Sequence, residues 1–184
     1  MLRVLAINGS LRQGSHNAAL IRAAATLLPP DVELVEWTGL RDIPPYSEDD
    51  EALTPLAVAA LRRTLSAADA VLISTPEYNS SIPGVLKNAL DWASRPLAES
   101  PVLNKPVAVL SSSTGLFGGV WAAAETRKVL GALGARTLED TVAVPKADQR
   151  LANGVDATLL DELRTVVDAL ATAVEARDTV RAAA

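Results

Sequence analysis

Gly9-Ser10-Leu11-Arg12-Gln13-Gly14-Ser15-His16-Asn17 follows an apolar run, Leu2 to Ile7, interrupted only by Arg3, and precedes a stretch with helical periodicity. It reads as a strand-to-helix turn. Its two glycines let backbone approach a ligand, and Ser10, Arg12, Ser15 and Asn17 offer hydroxyl, guanidinium and amide donors. The first N–H groups of a helix lack intrahelical partners and sit at the positive end of its dipole, so an anion placed there is favoured. The turn has neither G-x-G-x-x-G nor G-x-x-x-x-G-K-[ST] spacing, so a single phosphate suits it better than a dinucleotide or a triphosphate. The competing reading is an ordinary turn in which Ser and Asn only cap the helix.

Outward from this turn the chain alternates strand and helix signals. After Asn17, Leu20, Ile21, Ala24, Leu27 and Leu28 fall on one helical face, which Pro29-Pro30 closes. Val32 to Trp37 predicts a second strand. Thr38 to Thr54, with Pro44-Pro45 and the acidic run Glu48 to Glu51, predicts an irregular connection. Within and beside it, Tyr46 and Trp37 could serve a flat ligand or a partner subunit, or Trp37 could simply cover the sheet edge. Val58, Leu61, Leu65 and Ala68 then keep helical spacing behind Pro55, and Ala70 to Thr75 reads as a third, buried strand. Strand, helix, strand, helix, strand points to right-handed crossovers in a parallel, doubly wound α/β sheet with helices on both faces. Ligands of such sheets bind outside the C-terminal strand ends.

At the third strand's end stands Pro76-Glu77-Tyr78-Asn79-Ser80-Ser81-Ile82-Pro83-Gly84, a loop leading into a helix that buries Leu86, Ala89, Leu90 and Ala93. Taken alone, Glu77 reads equally well as a solvated carboxylate and Tyr78 as a loop cover. A fourth strand centres on Pro106 to Leu110 and is followed by a loop, Ser111 to Gly119, rich in serine and glycine. Ala123, Thr126, Leu130 and Leu133 mark the next helix, with Gly134 as its C-cap, and Arg136 to Val144 the fifth strand. Pro145 to Asp156 reads as polar linker. A last helix presents Leu159, Leu163, Val166, Val167, Leu170 and Val174 on one side, with a tail, Arg177 to Ala184, expected to fray.

Composition narrows the chemistry. The 184 residues suffice for a single domain, 1–184, with a substantial core, and 49% are apolar. There is no cysteine, which excludes disulfides, thiol redox chemistry and Cys-ligated metal sites. Any redox chemistry must therefore come from a cofactor. His16 is the one histidine, which argues against a His-rich metal site or a Ser-His-Asp triad, and no metal is expected. A net charge of −5 with scattered basic residues gives no footprint for nucleic acid. No apolar run approaches the roughly 20 residues of a membrane span, and no basic leader precedes the first strand. The expectation is a cytoplasmic protein without nucleic-acid or membrane partners.

The turn G-S-L-R-Q-G-S-H-N after the first strand, joined to P-E-Y-N-S-S-I-P-G-V-L-K-N-A-L-D-W-A-S-R after the third, resembles the NADPH-dependent FMN reductase family, which includes quinone, chromate and azo-compound reductases. D-I-P-P-Y-S-E-D and N-K-P-V-A-V-L-S-S-S-T-G-L-F-G-G extend the resemblance through most of the chain. It implies a flavodoxin-like three-layer sandwich with a five-stranded parallel sheet of order 2-1-3-4-5. It implies FMN as cofactor and NADPH or NADH as co-substrate. Hydride would pass from the dinucleotide to FMN and then to a small electron acceptor, a quinone, free flavin, azo compound or chromate, in ping-pong fashion. By the same resemblance Ser10, Arg12, Ser15 and Asn17 would hold the 5′-phosphate. Pro76, Glu77, Tyr78 and Asn79 would line the isoalloxazine edge, largely through backbone, with Ser113, Gly115 and Gly118 on the remaining side. No side chain is then catalytic, since the chemistry belongs to the cofactor. Glu77 is expected to orient its loop or a neighbouring subunit. The resemblance also implies a homodimer or homotetramer; the helix Pro83 to Ala93, with Trp92 and Arg95, together with the Tyr46 loop is the candidate surface, the competing reading being that Trp92 is simply core. Thr114 and Trp121 depart from the common pattern, which leaves NADPH versus NADH open. A flavodoxin-type FMN electron carrier without enzymatic activity is the alternative on the same fold.

Overall fold

Successive residues of the central strands point to opposite sides, and both sides are buried. The computed structural model describes residues 2–182. Strands β1 (Leu2–Asn8), β2 (Val32–Trp37), β3 (Ala70–Thr75), β4 (Pro106–Ser112) and β5 (Arg136–Val144) form one sheet of order β2-β1-β3-β4-β5, every neighbouring pair parallel. Helices α1 (His16–Ala25), α2 (Leu56–Ala67), α3 (Gly84–Ala93), α4 (Val120–Ala132), α5 (Ala147–Arg150) and α6 (Ala157–Ala182) connect and cover them. This is the expected doubly wound sheet in the expected order.

On one side Leu5, Ile7, Val71, Ile73, Val107 and Val109 meet the apolar faces of α2, α3 and α4. On the other, Val4, Ala70, Leu72, Ala108 and Leu110 meet α1 and α6. The strict alternation explains why these strands read as unbroken apolar runs: neither side faces water. The helical faces inferred from spacing are those that are buried, including Leu86, Ala89, Leu90 and Ala93 of α3 and Leu159, Leu163, Val166, Val167, Leu170 and Val174 of α6.

The connection after β2 is less irregular than its prolines suggest. It contains 3₁₀ turns at Gly39–Asp42 and Glu48–Leu53, the second opened by Ser47, whose Oγ accepts from the Asp49 amide at 3.3 Å. The stretch read as polar linker, Pro145 to Asp156, includes α5, whose Ala147 is fully buried. A helix of four residues is too short to show a period. Helix α6 continues to Ala182, through most of the stretch expected to fray, and residues 183 and 184 lie outside those described. Within that stretch the Arg177 guanidinium donates to the Asp69 carbonyl at 2.8 Å.

Trp92 is core. Only 1% of it is exposed, its Nε1 donates to the Pro44 carbonyl at 2.9 Å, and its ring meets Tyr46 edge-on with centroids 5.1 Å apart. This decides for the core reading and takes Trp92 out of the candidate subunit surface, because a side chain 1% exposed has almost no area to offer a partner. Tyr46 is likewise tied inward. Its hydroxyl donates to Glu51 at 2.5 Å and accepts from Arg95 Nε at 3.0 Å. The Glu51 carboxylate, followed by partial burial, keeps the Tyr46 hydroxyl protonated to higher pH than usual. Trp37 packs, half-buried, against the α2/α3 side of the sheet.

Candidate functional site

Three loops leave the C-terminal ends of β1, β3 and β4, and a cleft of about 210 Å³ opens among them. Ser10, Arg12, Ser15, His16 and Asn17 line one end; Pro76, Glu77 and Tyr78, with Ser112, Ser113 and Thr114, line the rest. The sheet order explains the position. Strand β1 is followed in the chain by β2 on one side and, after α2, by β3 on the other, so adjacent loops diverge and leave a crevice. A second, larger hollow of about 410 Å³ lies away from the strand ends, beside Glu51, Arg62 and Arg95.

The first loop is built by its own polar atoms. Asn8 Oδ1 accepts from the Ser10 amide at 3.0 Å and from Ser15 Oγ at 3.5 Å. Ser15 also caps α1, its Oγ accepting from Ala18 N at 3.3 Å. Capping and an anion cradle are therefore compatible, since the Ser15 side chain engages one amide of the first turn, and His16 and Asn17, which begin the helix, line the cleft end. Gly9 holds this loop close to β3. Its N–H donates to the Ser74 carbonyl at 2.8 Å, and a Cβ there would stand 3.2 Å from Leu86 and 3.3 Å from Pro76. Arg12 is exposed, with its Nη2 donating to the Gly14 carbonyl at 3.0 Å.

Asn17 does more than line the cleft. It is 3% exposed, its Nδ2 donates to the Ser112 carbonyl at 3.3 Å, and its Oδ1 accepts from Ser74 Oγ at 2.9 Å. One amide thus joins the ends of β3 and β4 to α1. The sequence motif alone suggested a phosphate contact and gave no sign of these two partners.

Glu77 accepts from the amides of Trp121 and Ala122 at 3.1 and 3.2 Å, two of the unpaired donors at the start of α4. One carboxylate oxygen, Oε2, thus joins the loop after β3 to the start of α4. Tyr78 and Ser81 exchange backbone hydrogen bonds of 3.0 and 3.1 Å across a turn in which Asn79 and Ser80 have φ of 54° and 60°. Asn79, Gly115 and Gly118 lie outside the cleft wall. Gly118 explains itself: with φ of +64°, a Cβ there would be 2.8 Å from backbone atoms of Ala143, Val144 and Pro145. It lets the third loop pass close over the end of β5. His16, Ser112 and Thr114 are wall residues that the sequence did not assign to the site, Thr114 standing out there only as a departure from the family pattern. His16 lies within the quoted turn, and the serine run at the end of β4 was the available signal for Ser112.

Glu125 supplies the one lowered carboxyl pKa near these loops. The Ser81 hydroxyl, donating at 2.6 Å, is the main cause, with the Ile82 amide at 3.3 Å adding to it. A depressed folded-state pKa contributes stability above the unfolded value and loses it as pH falls through the folded one. Acidification below about pH 4 is accordingly expected to destabilise the wild-type protein more than Glu125→Gln. Denaturant titrations of both proteins between neutral pH and pH 3 check this. Parallel curves would remove Glu125 as a contributor.

The residues present fit FMN on an observation internal to the structure. Ser112 Oγ is buried, has no hydrogen-bond partner, and belongs to a residue on the cleft wall. A buried hydroxyl without a protein partner, on a residue of the cleft wall, calls for a polar partner from outside the chain. The phosphate end offers hydroxyls, a guanidinium and a helix start. Among the described residues no cluster of three or more His, Asp or Glu could hold a metal ion, and no helix is long and apolar enough to cross a membrane.

A parallel sheet of this order with its crevice at the β1/β3 switch point defines a flavodoxin-like α/β protein. Residues 2–149 match the family model described as NADPH-dependent FMN reductase. The chain belongs to that family. It is 48% identical over 130 residues to an NAD(P)H-dependent FMN reductase of Pseudomonas aeruginosa, covering 70% of this chain and 69% of that protein. It is 37% identical over 169 residues to a quinone reductase of Escherichia coli, covering 88% and 89%. Among solved structures it is similar to the flavoenzyme NAD(P)H:(acceptor) oxidoreductase of Paracoccus denitrificans, with a TM-score of 0.82, 31% identity, and coverage of 96% and 99%. The protein is an oxidoreductase whose cofactor is FMN and whose co-substrate is a nicotinamide dinucleotide.

Proposed function

We propose that this protein oxidises NADPH or NADH and passes the reducing equivalents, in ping-pong order, to a small acceptor such as a quinone, free flavin, azo compound or chromate. The convergence of three strand-end loops on one open cleft carries the reading. FMN, when bound, supplies the centre that accepts and releases hydride. The chain's own task is to bind and orient. Ser10, Arg12, Ser15 and the first amides of α1 hold the phosphate; Asn17 keeps that end attached to β3 and β4. Pro76, Glu77 and Tyr78, with Ser113, bound the ring system mainly through backbone groups, while Asn79, Gly115 and Gly118 shape the loops behind them. Glu77 orients its loop, its Oε2 accepting from two amides of α4.

One open cleft serves two substrates in turn, which is what a ping-pong order requires. Three of the chain's few aromatic side chains, Tyr78, Phe117 and Trp121, are 50%, 58% and 49% exposed and all follow β3 or β4 at the cleft end. Phe117 and Trp121 meet edge-on at 4.9 Å, leaving ring faces to a planar acceptor. The reading assigns the protein to the cytoplasm, where NAD(P)H is available, as a homodimer or homotetramer.

Anaerobic stopped-flow mixing of the FMN-loaded protein with NADPH and with NADH tests the proposal. Fast, saturable bleaching of the flavin is the expected result and gives the dinucleotide preference directly. Bound FMN that neither nucleotide bleaches would replace this reading with that of an electron carrier. Arg12→Ala is expected to weaken FMN binding roughly 10- to 150-fold, the loss of one charge-assisted contact of about 1.5 to 3 kcal/mol. The bleaching rate at saturating FMN should hold. An unchanged dissociation constant by fluorescence titration would remove Arg12 from the phosphate site.

A further inference from the structure

Two carboxylates tie the same two segments together from opposite ends. Glu77, in the loop after β3, accepts from the Trp121 and Ala122 amides at the start of α4. Glu125, one turn further along α4, accepts from Ser81 Oγ at 2.6 Å and from the Ile82 amide at 3.3 Å, back in the loop after β3. Each segment thus contributes a carboxylate that binds backbone of the other. Between the two anchor points the chain is closed on itself by the paired Tyr78 and Ser81 backbone groups. Segment 77–82 is therefore held at its beginning, at its end and across its middle.

Glu125 does not line the cleft, yet it fixes a wall that does. Removing it frees the Ile82 end, and the reversal at Asn79 and Ser80, both at positive φ, then has one fewer contact to maintain it. Lys128 and Lys87 add weaker attraction toward the Glu125 carboxylate.

We propose that Glu125 is a positioning residue for the flavin: with Glu77 it forms a reciprocal carboxylate clamp that sets the orientation of the backbone groups of loop 76–82 toward the ring edge. This rests on the reading of Pro76 to Asn79 as the ring-edge loop. The shift of the bound cofactor's potential from that of free FMN is set by the logarithm of the ratio of the affinities for its reduced and oxidised forms, and fixed dipoles at the ring edge act on that ratio. Loosening the loop moves the potential toward that of free FMN.

The test compares Glu125→Ala, Glu125→Gln and Ser81→Ala with the wild type. Hydrogen exchange at the Ile82 amide is followed in the FMN-free proteins, and the midpoint potential of bound FMN is measured by anaerobic dye equilibration. Glu125→Ala is expected to exchange at Ile82 at least about tenfold faster. Its potential should shift by about 30 mV, a tenfold change in the affinity ratio for a two-electron couple. Glu125→Gln, whose amide oxygen still accepts both hydrogen bonds, should stay close to wild type in both. Ser81→Ala should move both in the same direction by less, and it carries the test should Glu125→Ala not fold. Unchanged exchange in Glu125→Ala and Ser81→Ala overturns the clamp. Faster exchange with an unchanged potential overturns the positioning role and leaves a structural contact only. Failure of the wild type to bind FMN would instead refute the cofactor assignment, while the exchange arm would still decide the clamp.

Discussion

Trp92→Ala is expected to lower the free energy of unfolding by about 3 to 5 kcal/mol, the range for truncating a large buried aromatic. The ring sits in the α2/α3 side of the core at 1% exposure, so truncation leaves a cavity bounded by sheet and helix that the surroundings can only partly fill. The hydrogen bond contributes less than it first suggests. The Pro44 carbonyl that accepts from Trp92 Nε1 at 2.9 Å also accepts from Asn88 Nδ2 at 2.8 Å, so losing the indole does not orphan it. Volume should dominate. Trp92→Phe, which keeps most of the ring and loses the donor, is expected to cost about 1 kcal/mol for the hydrogen bond plus a smaller cavity term. For a chain of this size each kcal/mol corresponds to about 2 to 4 °C, so Trp92→Ala should melt roughly 6 to 20 °C lower. Urea unfolding followed by circular dichroism decides between the two terms. A Phe variant as unstable as the Ala variant would transfer the weight to the hydrogen bond.

Asn17→Ala is expected to destabilise by about 2 to 4 kcal/mol and to weaken FMN retention at the same time. The amide serves two buried partners, the Ser112 carbonyl and the Ser74 hydroxyl, on two different strands. Alanine would leave both without it in a region that is 0 to 3% exposed. Each buried group left unpaired costs about 1 to 3 kcal/mol. Because the same side chain fixes the start of α1 to the ends of β3 and β4, the phosphate end of the cleft should open as stability falls. Asn17→Asp separates the two halves of the effect. It can still accept from Ser74 but has no donor for Ser112, and it sets a carboxylate oxygen against a carbonyl oxygen in a buried site. At neutral pH it should be at least as unstable as alanine, and part of its loss should be recovered in mild acid. Denaturant midpoints and FMN titrations at two pH values measure this. Wild-type stability in Asn17→Ala would show that the strand ends are held by other means.

Much of the fold was legible because the relevant signals are local. The strands expected at Val32 to Trp37, Ala70 to Thr75 and Arg136 to Val144 coincide with observed strands end for end, and the spacing of apolar residues picked the buried faces of α3 and α6. Elements shorter than a period escaped. The 3₁₀ turns beside Pro44 and the single turn of α5 depend on Ser47, on a buried Ala147 and on neighbours far away in sequence.

The site divides along the same line. Which residue types stand at the three strand ends is a property of the sequence, and so the phosphate-suited turn, the ring-edge loop and the glycine-bearing loop could be read from it. What each side chain is free to do depends on partners brought from elsewhere in the chain. Asn17 is engaged by Ser74 and Ser112, 57 and 95 residues away, Glu77 by amides 44 and 45 residues on, and Glu125 by Ser81 and Ile82. Trp92 could be core or surface until Pro44 and Tyr46 were seen to close over it. The sequence by itself determined the alternation of strands and helices and the chemistry available at the cleft, because periodicity and residue type are local quantities. Only the tertiary structure decided how that chemistry is committed, because a hydrogen bond or a buried face belongs to two segments at once.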